Sequence, residues 1–224
     1  MKVVTVCGIT QSGKTTVVTA LIAELRRRGY SVGSVKDIHF DGFAMDTEET
    51  NTYKHRQAGS TTVTARGHNE TDVMYGSCLP IDEVLRHYHQ DYVVLEGVYE
   101  VDAPKILTAH ETEELDERMT DRVFMVSGRI ADRIDEYRGL PAFSPFGGIK
   151  RIADLVEKSV PEYVPSLRIK ISVSGAERAV SPACAAELAA LLRGLGAETA
   201  EIKLDKNWIK ISKNGRSDDN DEDQ

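Results

Sequence analysis

The chain has 224 residues, of which 41% are hydrophobic, and carries a formal net charge of −8. This length fits one α/β domain of about 160 residues with a small appendage, and the acidic balance disfavours nucleic-acid binding. No apolar run reaches the roughly 18 residues of a membrane span, the N-terminus lacks a signal-peptide pattern, and the three scattered cysteines fit neither a disulfide framework nor a zinc site. We therefore expect a cytoplasmic protein that binds neither nucleic acid nor a membrane.

The first predicted elements are a strand and a helix joined by a glycine-containing loop. Residues 3–7 are apolar, as in a buried strand, and 17–25 have apolar residues at helical spacing. Between them, residues 8–15 read Gly-x-x-x-x-Gly-Lys-Thr, the phosphate-binding loop pattern of nucleoside triphosphate-binding proteins. A turn that merely begins a helix is the alternative. The strand–loop–helix order disfavours it, because that order brings free backbone N–H groups and the helix dipole to one point.

Individual residues of this loop suit a triphosphate. Gly8 and Gly13 let the backbone turn tightly and approach phosphates without an intervening Cβ. Lys14 can reach the β and γ phosphates, and the Thr15 hydroxyl can hold Mg²⁺. The sequence therefore predicts a site for a nucleoside triphosphate with Mg²⁺.

Strand and helix signals alternate from here to about residue 160. Further strands are predicted at 30–35, 61–64, 71–75, 92–95, 104–108, 123–126 and 140–143, and helices at 47–57, 80–88 and 149–158. Thr47 is the expected N-cap of the helix that starts there, and the basic run 26–28 is interpreted as complementing the end of the first helix. The alternation predicts an α/β fold of the phosphate-loop NTPase type, with a doubly wound, mostly parallel sheet.

A second, smaller region follows a proline-containing linker. Pro161 and Pro165 mark this linker, so residues 1–160 are predicted to form the nucleotide-binding domain. Residues 161–213 combine strand patterns at 167–173, 198–203 and 208–212 with a helix pattern at 182–195. They predict a small C-terminal α+β unit of unknown role. The acidic stretch 214–224 has no large apolar residue and is expected to be disordered.

A carboxylate stands at the end of the most apolar predicted strand. Residues 92–95 lead directly into Glu96 and Gly97. An acid at the carboxyl end of a buried parallel strand lies in the crevice where ligands bind, and there it can hold Mg²⁺ or orient a water. A carboxylate that caps a turn is the alternative, and it is disfavoured because a charge at a buried strand end is costly unless it is used.

The segment after the second predicted strand is polar and leaves the same sheet edge as the phosphate loop. Lys36 and His39 could contact phosphate there, and Asp41 or Asp46 could contact a metal. Each of these residues taken alone is better explained as a solvated side chain, and only as a group beside the loop do they fit a ligand site equally well. Two other sets of histidines are interpreted as having no ligand role: His87 and His89 as structural, and His110 as solvated.

The order of these motifs resembles the MobB family of molybdopterin–guanine dinucleotide biosynthesis proteins. In that family a segment with Lys and His follows the second strand, as 36–39 does here. The run 51–60 resembles the family's Asp-Ser-Tyr helix start that leads into Ala-Gly-Ala. Three later runs resemble its Glu-Gly-[Phe/Tyr], Pro-Lys-Ile and Leu-Pro-x-Phe motifs: 94–99, 104–106 and 140–143. The resemblance covers about residues 1–158.

This chain departs from the family pattern at several positions. Asp37 stands where the family commonly has His after the Lys, and Asn51-Thr52 replaces Asp-Ser, which weakens a metal role there. Asp41 and Asp46 are what remains of a carboxylate-rich segment. Residues 164–224 lie outside the common pattern.

The resemblance implies a homodimer that binds GTP with Mg²⁺, hydrolyses it slowly, and assists the MobA-type enzyme that attaches GMP to molybdopterin, within the molybdoenzyme maturation machinery. Lys14 and Glu96 would be the catalytic residues, acting by positioning and charge, with Thr16 on the α phosphate. The implied magnesium ligands are Thr15, Glu96 and Asp46. The implied cofactor-binding residues are Gly8, Gln11, Ser12, Gly13, Lys14, Thr15, Thr16, Lys36, His39 and Lys105, with Lys36 and Lys105 as secondary phosphate or pterin contacts.

Other functions remain open from the residues alone. The sequence has no Asn-Lys-x-Asp guanine motif, so the preference for GTP rests on the resemblance, with loops 127–129 and 140–144 as candidate base sites. A small-molecule kinase would use His39 or Asp41 as a base. A nucleotide-gated scaffold or ATPase in metallocofactor maturation is the other alternative, and the metal could be molybdenum or tungsten.

Overall fold

The computed structural model describes residues 1–163, 167–169, 199–204 and 207–212. The chain divides into two compact units, Met1–Tyr163 and Val164–Gln224. The helix predicted at 182–195 and the disordered tail predicted at 214–224 lie outside the described residues. Within the part of the chain that is described, no helix combines the length and the apolarity needed to cross a membrane.

The first unit contains nine strands, five α-helices and a 3₁₀ turn among its described residues. In chain order they are β1 (Lys2–Gly8), α1 (Lys14–Arg27), β2 (Val32–Lys36), α2 (Asn51–Gln57), β3 (Thr62–Arg66), β4 (Thr71–Tyr75), α3 (Ile81–Leu85), β5 (Tyr92–Glu96), β6 (Lys105–Thr108), α4 (Thr112–Arg118), β7 (Val123–Ser127), the 3₁₀ turn (Gly128–Asp132), β8 (Glu136–Tyr137), β9 (Leu140–Pro141) and α5 (Pro145–Ser159).

Five of these strands form one parallel sheet in the order β2-β5-β1-β6-β7. Side chains alternate between its faces, so Val4 and Val94 pack with the buried residues of α1 and α5, whereas Val3 and Val93 pack with Leu85 of α3. Because both faces are covered, β5 is buried at every position. The predicted doubly wound, mostly parallel α/β fold is confirmed.

Register brings the candidate residues to one edge of this sheet. Glu96 at the end of β5 lies opposite Val6 of β1 and Lys36 of β2, and Gly8 at the end of β1 lies opposite Thr108 of β6. All four strands run in the same direction, so their carboxyl ends meet where β1 passes into the phosphate loop. Ligands bind at this edge in open parallel sheets.

A cluster of charges fastens α1 to α5. The Arg28 guanidinium bonds Glu24 (2.9 Å), Asp154 (2.7 Å), Glu157 (3.1 Å) and the Lys150 carbonyl oxygen (2.9 Å). Glu24 is buried and also binds Arg27 at 2.7 Å. The hydrogen bonds from Arg27 and then Arg28 lower the pKa of Glu24 to about 2. The basic run thus serves ion pairs between helices in addition to the helix end.

The helix predicted at 47–57 begins later, at Asn51. Thr50, not Thr47, is its N-cap, since the Thr50 hydroxyl oxygen accepts from the Tyr53 N–H at 3.1 Å. The reason is Asp46, whose carboxylate accepts from the Thr47 N–H (3.0 Å) and the Thr50 hydroxyl (2.5 Å) and so holds the preceding residues in a turn. The prediction of Thr47 as N-cap is therefore wrong.

Other elements also differ from the predictions. Strands β3 and β4 pair with each other in an antiparallel hairpin outside the central sheet, and β8 and β9 form a second small hairpin. Helix α5 begins at Pro145, four residues before the predicted start, because Ser144 caps it and proline suits a first helical turn. Helix α4 was not predicted; a capping box of Glu111 and Glu114 begins it.

The described part of the second unit is a three-stranded sheet. Its strands are β10 (Leu167–Ile169), β11 (Thr199–Leu204) and β12 (Asn207–Ser212), in the order β10-β11-β12. β10 runs parallel to β11, and β11 is antiparallel to β12. Strands were predicted at all three places.

Candidate functional site

The phosphate loop is held in place by a glycine that approaches a neighbouring strand closely. Gly8 has φ 148°, and a Cβ added there would lie 2.1 Å from the Thr108 carbonyl oxygen. Gly13, which precedes α1, has φ 99° in the left-handed region, where glycine is favoured. Both glycines are thus required by the backbone, and at Gly8 the close approach is to β6 as well as to the loop.

Buried hydroxyl groups tie the loop to β6. The Ser12 hydroxyl donates to the Ile9 carbonyl oxygen (2.8 Å) and lies 2.6 Å from the Thr108 hydroxyl, which donates to the Cys7 carbonyl oxygen (3.0 Å). Ser12 is fully buried. Its hydroxyl therefore shapes the loop from the inside.

Lys14 lies across the loop that precedes it. Its Nζ donates to the carbonyl oxygens of Gly8 (2.9 Å) and Ile9 (2.5 Å). Burial lowers the pKa of Lys14, and the nearby Glu96 carboxylate opposes that effect. The arrangement places a partly desolvated ammonium group at the mouth of the loop.

Thr15, Lys36 and Glu96 meet at a single oxygen atom. The Thr15 hydroxyl donates to Glu96 Oε1 at 2.6 Å, and Lys36 Nζ donates to the same oxygen at 2.5 Å. Glu96 is only 7% exposed. Burial raises the pKa of Glu96, but the hydrogen bonds from Lys36 and Thr15 and the charges of Lys36 and Lys14 outweigh burial and lower it overall. Glu96 is therefore a carboxylate at neutral pH.

A cavity of about 950 Å³ opens beside these residues. Its volume is in the range of small-molecule sites. It is lined by the phosphate loop, the start of α1 and Glu96, and also by the 3₁₀ turn after β7 and the start of α5. A second cavity of about 360 Å³ shares Lys14, Lys36 and Glu96 with the first, and its other walls include His39 and Tyr99.

More than half of the chain matches a known protein family. The model of the family described as molybdopterin guanine dinucleotide synthesis protein B, or MobB, matches residues 3–127, which is more than half of the chain. The chain belongs to the MobB family. It is 23% identical over 145 residues, 63% of this chain and 84% of the relative, to the "Probable molybdopterin-guanine dinucleotide biosynthesis adapter protein" of Bacillus subtilis (strain 168).

Solved MobB structures share the fold. The crystal structure of Bacillus subtilis MobB aligns with a TM-score of 0.60 and 22% identity, over 73% of this chain and 100% of that chain. A MobB homolog from Bacillus stearothermophilus aligns with a TM-score of 0.55 and 21% identity, over 70% of this chain and 99% of that one. The family match and the named relative confirm the function predicted from the motif order, in molybdopterin guanine dinucleotide biosynthesis, and do not favour the kinase alternative.

The structure of this MobB family member brings most of the predicted site residues together. Those that line one or both cavities are Gly8, Gln11, Gly13, Lys14, Thr15, Thr16, Lys36, His39 and Glu96. Ser12 lies behind the loop surface. Lys105 lines neither cavity, because its Nζ donates to the Tyr99 carbonyl oxygen at 2.9 Å.

Asp46 also lies outside both cavities. Its Oδ1 accepts from Thr47, Thr50 and Thr52, and the hydrogen bond from Thr50 is the main cause of its lowered pKa. Its Oδ2 is enclosed and has no hydrogen-bond partner among the described residues. Because Asp46 does not share a cavity with Thr15 and Glu96, only these two of the three predicted ligands are in a position to hold one magnesium ion together.

Several residues of the MobB site were missed by sequence reasoning. His110, interpreted as solvated, lines the larger cavity, and its Nε2 lies 3.2 Å from the Thr10 carbonyl oxygen. Arg133 binds the Glu111 carboxylate at 3.1 Å. The sequence could have indicated both residues by their position: His110 follows β6 and Arg133 follows β7, at the same sheet edge as Glu96.

Tyr99 was quoted only as part of the family motif. Its hydroxyl donates to the Gly8 carbonyl oxygen (3.0 Å) and lies 3.1 Å from the Gly8 nitrogen. Tyr99 therefore anchors the start of the phosphate loop, although its side chain follows a different strand, β5.

Proposed function

We propose that this chain is a GTP-binding adaptor with slow, Mg²⁺-dependent GTPase activity that serves the enzyme attaching GMP to molybdopterin. The observation that carries the proposal is the meeting of Lys14, Thr15 and Glu96 at the point where the phosphate loop becomes α1. Family membership supports the pathway, and the curated relative's name supports the adaptor role.

The residues present fit a nucleotide-bound magnesium ion. Mg²⁺ prefers oxygen ligands and in nucleotide sites takes one or two of them from the protein, the rest from phosphates and water. The Thr15 hydroxyl and the Glu96 carboxylate supply such oxygens 2.6 Å apart. When bound, Mg²⁺ would neutralise charge on the phosphates.

The chain's own groups would bind and orient the triphosphate. Lys14 and the N–H groups at the start of α1 present positive charge to the β and γ phosphates, and Thr16 lies one residue further along the same wall. Glu96 is a weak base, because Thr15 and Lys36 lower its pKa. With positioning and charge but no strong base, this site should hydrolyse GTP slowly.

The partners are inferred from the family and the adaptor name. We propose a homodimer that binds a MobA-type guanylyltransferase and so connects GTP to the machinery that matures molybdoenzymes. Co-purification of the two tagged proteins with and without GTP tests the partnership, and the absence of a complex under both conditions would contradict it.

Titration calorimetry tests the nucleotide function directly. GTP and ATP with Mg²⁺ are titrated into the full chain, into Lys14→Ala and into the control Lys158→Ala, and phosphate release is followed separately. We expect tighter binding of GTP than of ATP, slow release of phosphate, and loss of binding in Lys14→Ala alone. Unchanged affinity in Lys14→Ala would contradict the site, and preference for ATP would contradict the GTPase assignment.

A further inference from the structure

The larger cavity is lined by residues of several segments besides the phosphate loop. Arg129 and Asp132 from the 3₁₀ turn and Phe146 from the start of α5 line it together with Lys14 and Thr15. The turn is held against the loop, because the Arg129 N–H donates to the Ser12 carbonyl oxygen at 3.0 Å. The wall that carries Asp132 is therefore fixed relative to the phosphate-binding groups.

Three carboxylates line this cavity, and two of them have partners. Glu96 accepts from Thr15 and Lys36, and Glu111 accepts from Arg133. The third, Asp132, has no hydrogen-bond or ion-pair partner among the described residues. A free carboxylate repels phosphate, so it suits a part of the ligand that offers hydrogen-bond donors.

Phe146 provides a flat apolar surface in the same cavity. It is 84% exposed, and no aromatic partner covers it within the described part of the chain. Ser144 caps α5 through the Phe146 N–H, which holds the residue at the first turn of the helix. Exposed aromatic faces are well suited to stacking on nucleobases.

We propose that Asp132 and Phe146 form a guanine site in this cavity, in which Asp132 accepts hydrogen bonds from the base and Phe146 stacks on it. Guanine presents two adjacent donors on one edge, N1–H and the 2-amino group, which match the two oxygens of a carboxylate. Adenine offers the N1 lone pair beside its 6-amino group, and a carboxylate repels that lone pair. This assignment rests on the proposed GTP-binding function and supplies the base selectivity that the missing Asn-Lys-x-Asp motif leaves unexplained.

The first test exchanges the hydrogen-bond pattern of Asp132. In Asp132→Asn, the amide can donate to the 2-oxo group of xanthine and accept from its N1–H. Affinities for GTP, ATP and xanthosine triphosphate are measured with Mg²⁺ by calorimetry on the full chain. We expect GTP affinity to fall about 10- to 100-fold, as for loss of a hydrogen bond to a charged group, and xanthosine triphosphate to become the preferred ligand.

The matched control is Asp135→Asn. Asp135 is exposed, lies three residues away and does not line the cavity, so this variant should keep the wild-type order of affinities. If Asp132→Asn also keeps the wild-type ratio of GTP to xanthosine triphosphate affinity, Asp132 does not read the base.

The second test separates the base from the phosphates and does not depend on Asp132 variants folding. Phe146→Ala is compared with wild type for GTP and for tripolyphosphate, which has no base. We expect weaker binding of GTP, by about tenfold, and unchanged binding of tripolyphosphate. Unchanged GTP binding would overturn the base site. Failure of the proposed function looks different: wild type would bind neither probe, or Lys14→Ala would bind both normally.

Discussion

Thr108 connects the phosphate loop to the central sheet, and removing its hydroxyl tests how the loop is held. The residue is 1% exposed. Its Oγ1 donates to the Cys7 carbonyl oxygen at 3.0 Å and lies 2.6 Å from the Ser12 hydroxyl. Thr108→Val keeps the size of the side chain and replaces this hydroxyl with a methyl group.

The stability lost in Thr108→Val depends on how the hydroxyl protons of this cluster are shared. Two hydroxyl protons serve three contacts, since Ser12 also donates to the Ile9 carbonyl oxygen at 2.8 Å. In Thr108→Val, Ser12 keeps that bond, but the Cys7 carbonyl loses its side-chain donor and Ser12 loses a polar neighbour. One buried hydrogen bond with partial desolvation costs about 2 kcal/mol, or roughly 4–8 °C in Tm for a domain of this size.

Chemical and thermal unfolding measure this cost, and GTP titration measures its effect on the loop. We expect GTP affinity to fall together with stability, because Ser12 shapes the loop. The control is Thr62→Val on the exposed side of β3, for which less than about 0.5 kcal/mol is expected. Equal stability of Thr108→Val and wild type would refute the claim that buried hydroxyls hold the loop.

Three further changes test other contacts. Gly8→Ala forces a Cβ to within 2.1 Å of the Thr108 carbonyl oxygen and should cost about 3 kcal/mol of unfolding free energy. Glu96→Gln should fold normally but need at least about tenfold more Mg²⁺ for half-maximal phosphate release, since a charged ligand is lost. Glu24→Gln should lower Tm at pH 6, and the difference from wild type should shrink toward pH 2.5. Glu24 has a folded pKa of about 2, below its unfolded value of about 4.3, so its stabilisation is complete above pH 4.5 and is lost as pH falls toward 2.

Matched variants separate these effects from general damage. Gly147→Ala lies in α5 with nothing within 4 Å of the added Cβ and should be neutral or stabilising. Glu48→Gln removes an exposed acid outside both cavities and should leave the Mg²⁺ requirement unchanged. A Tm difference between wild type and Glu24→Gln that stays constant from pH 6 to pH 2.5 would show that the charge of Glu24 is not what joins the helices.

The sequence predicts the central sheet well because each of its strands is signalled locally. The apolar run before Glu96 can only be a strand covered on both faces, and the glycine loop fixes where α1 begins. Contacts between distant segments have no such local signal and could not be predicted. Lys36 binds Glu96 because β2 pairs with β5, and this pairing has no local signal in the sequence. Asp132 lines the cavity because it belongs to a 3₁₀ turn, which has no periodic sequence pattern. The wrong cap at Thr47 has a more local cause, because Asp46 accepts from the Thr47 N–H and the Thr50 hydroxyl and so holds these residues in a turn before the helix.

The charge cluster around Arg28 has a consequence for the width of the larger cavity. Helices α1 and α5 both contribute their N-terminal residues to its walls, and Arg28 joins them near their opposite ends. Each helix is about 20 Å long, so a change of about 3° in the angle between them moves their N-termini apart by about 1 Å. A small rotation of the helices about the contacts of Arg28 therefore changes the distance between their N-termini. The spacing between the phosphate loop and Phe146 thus depends in part on side chains on the far side of the domain.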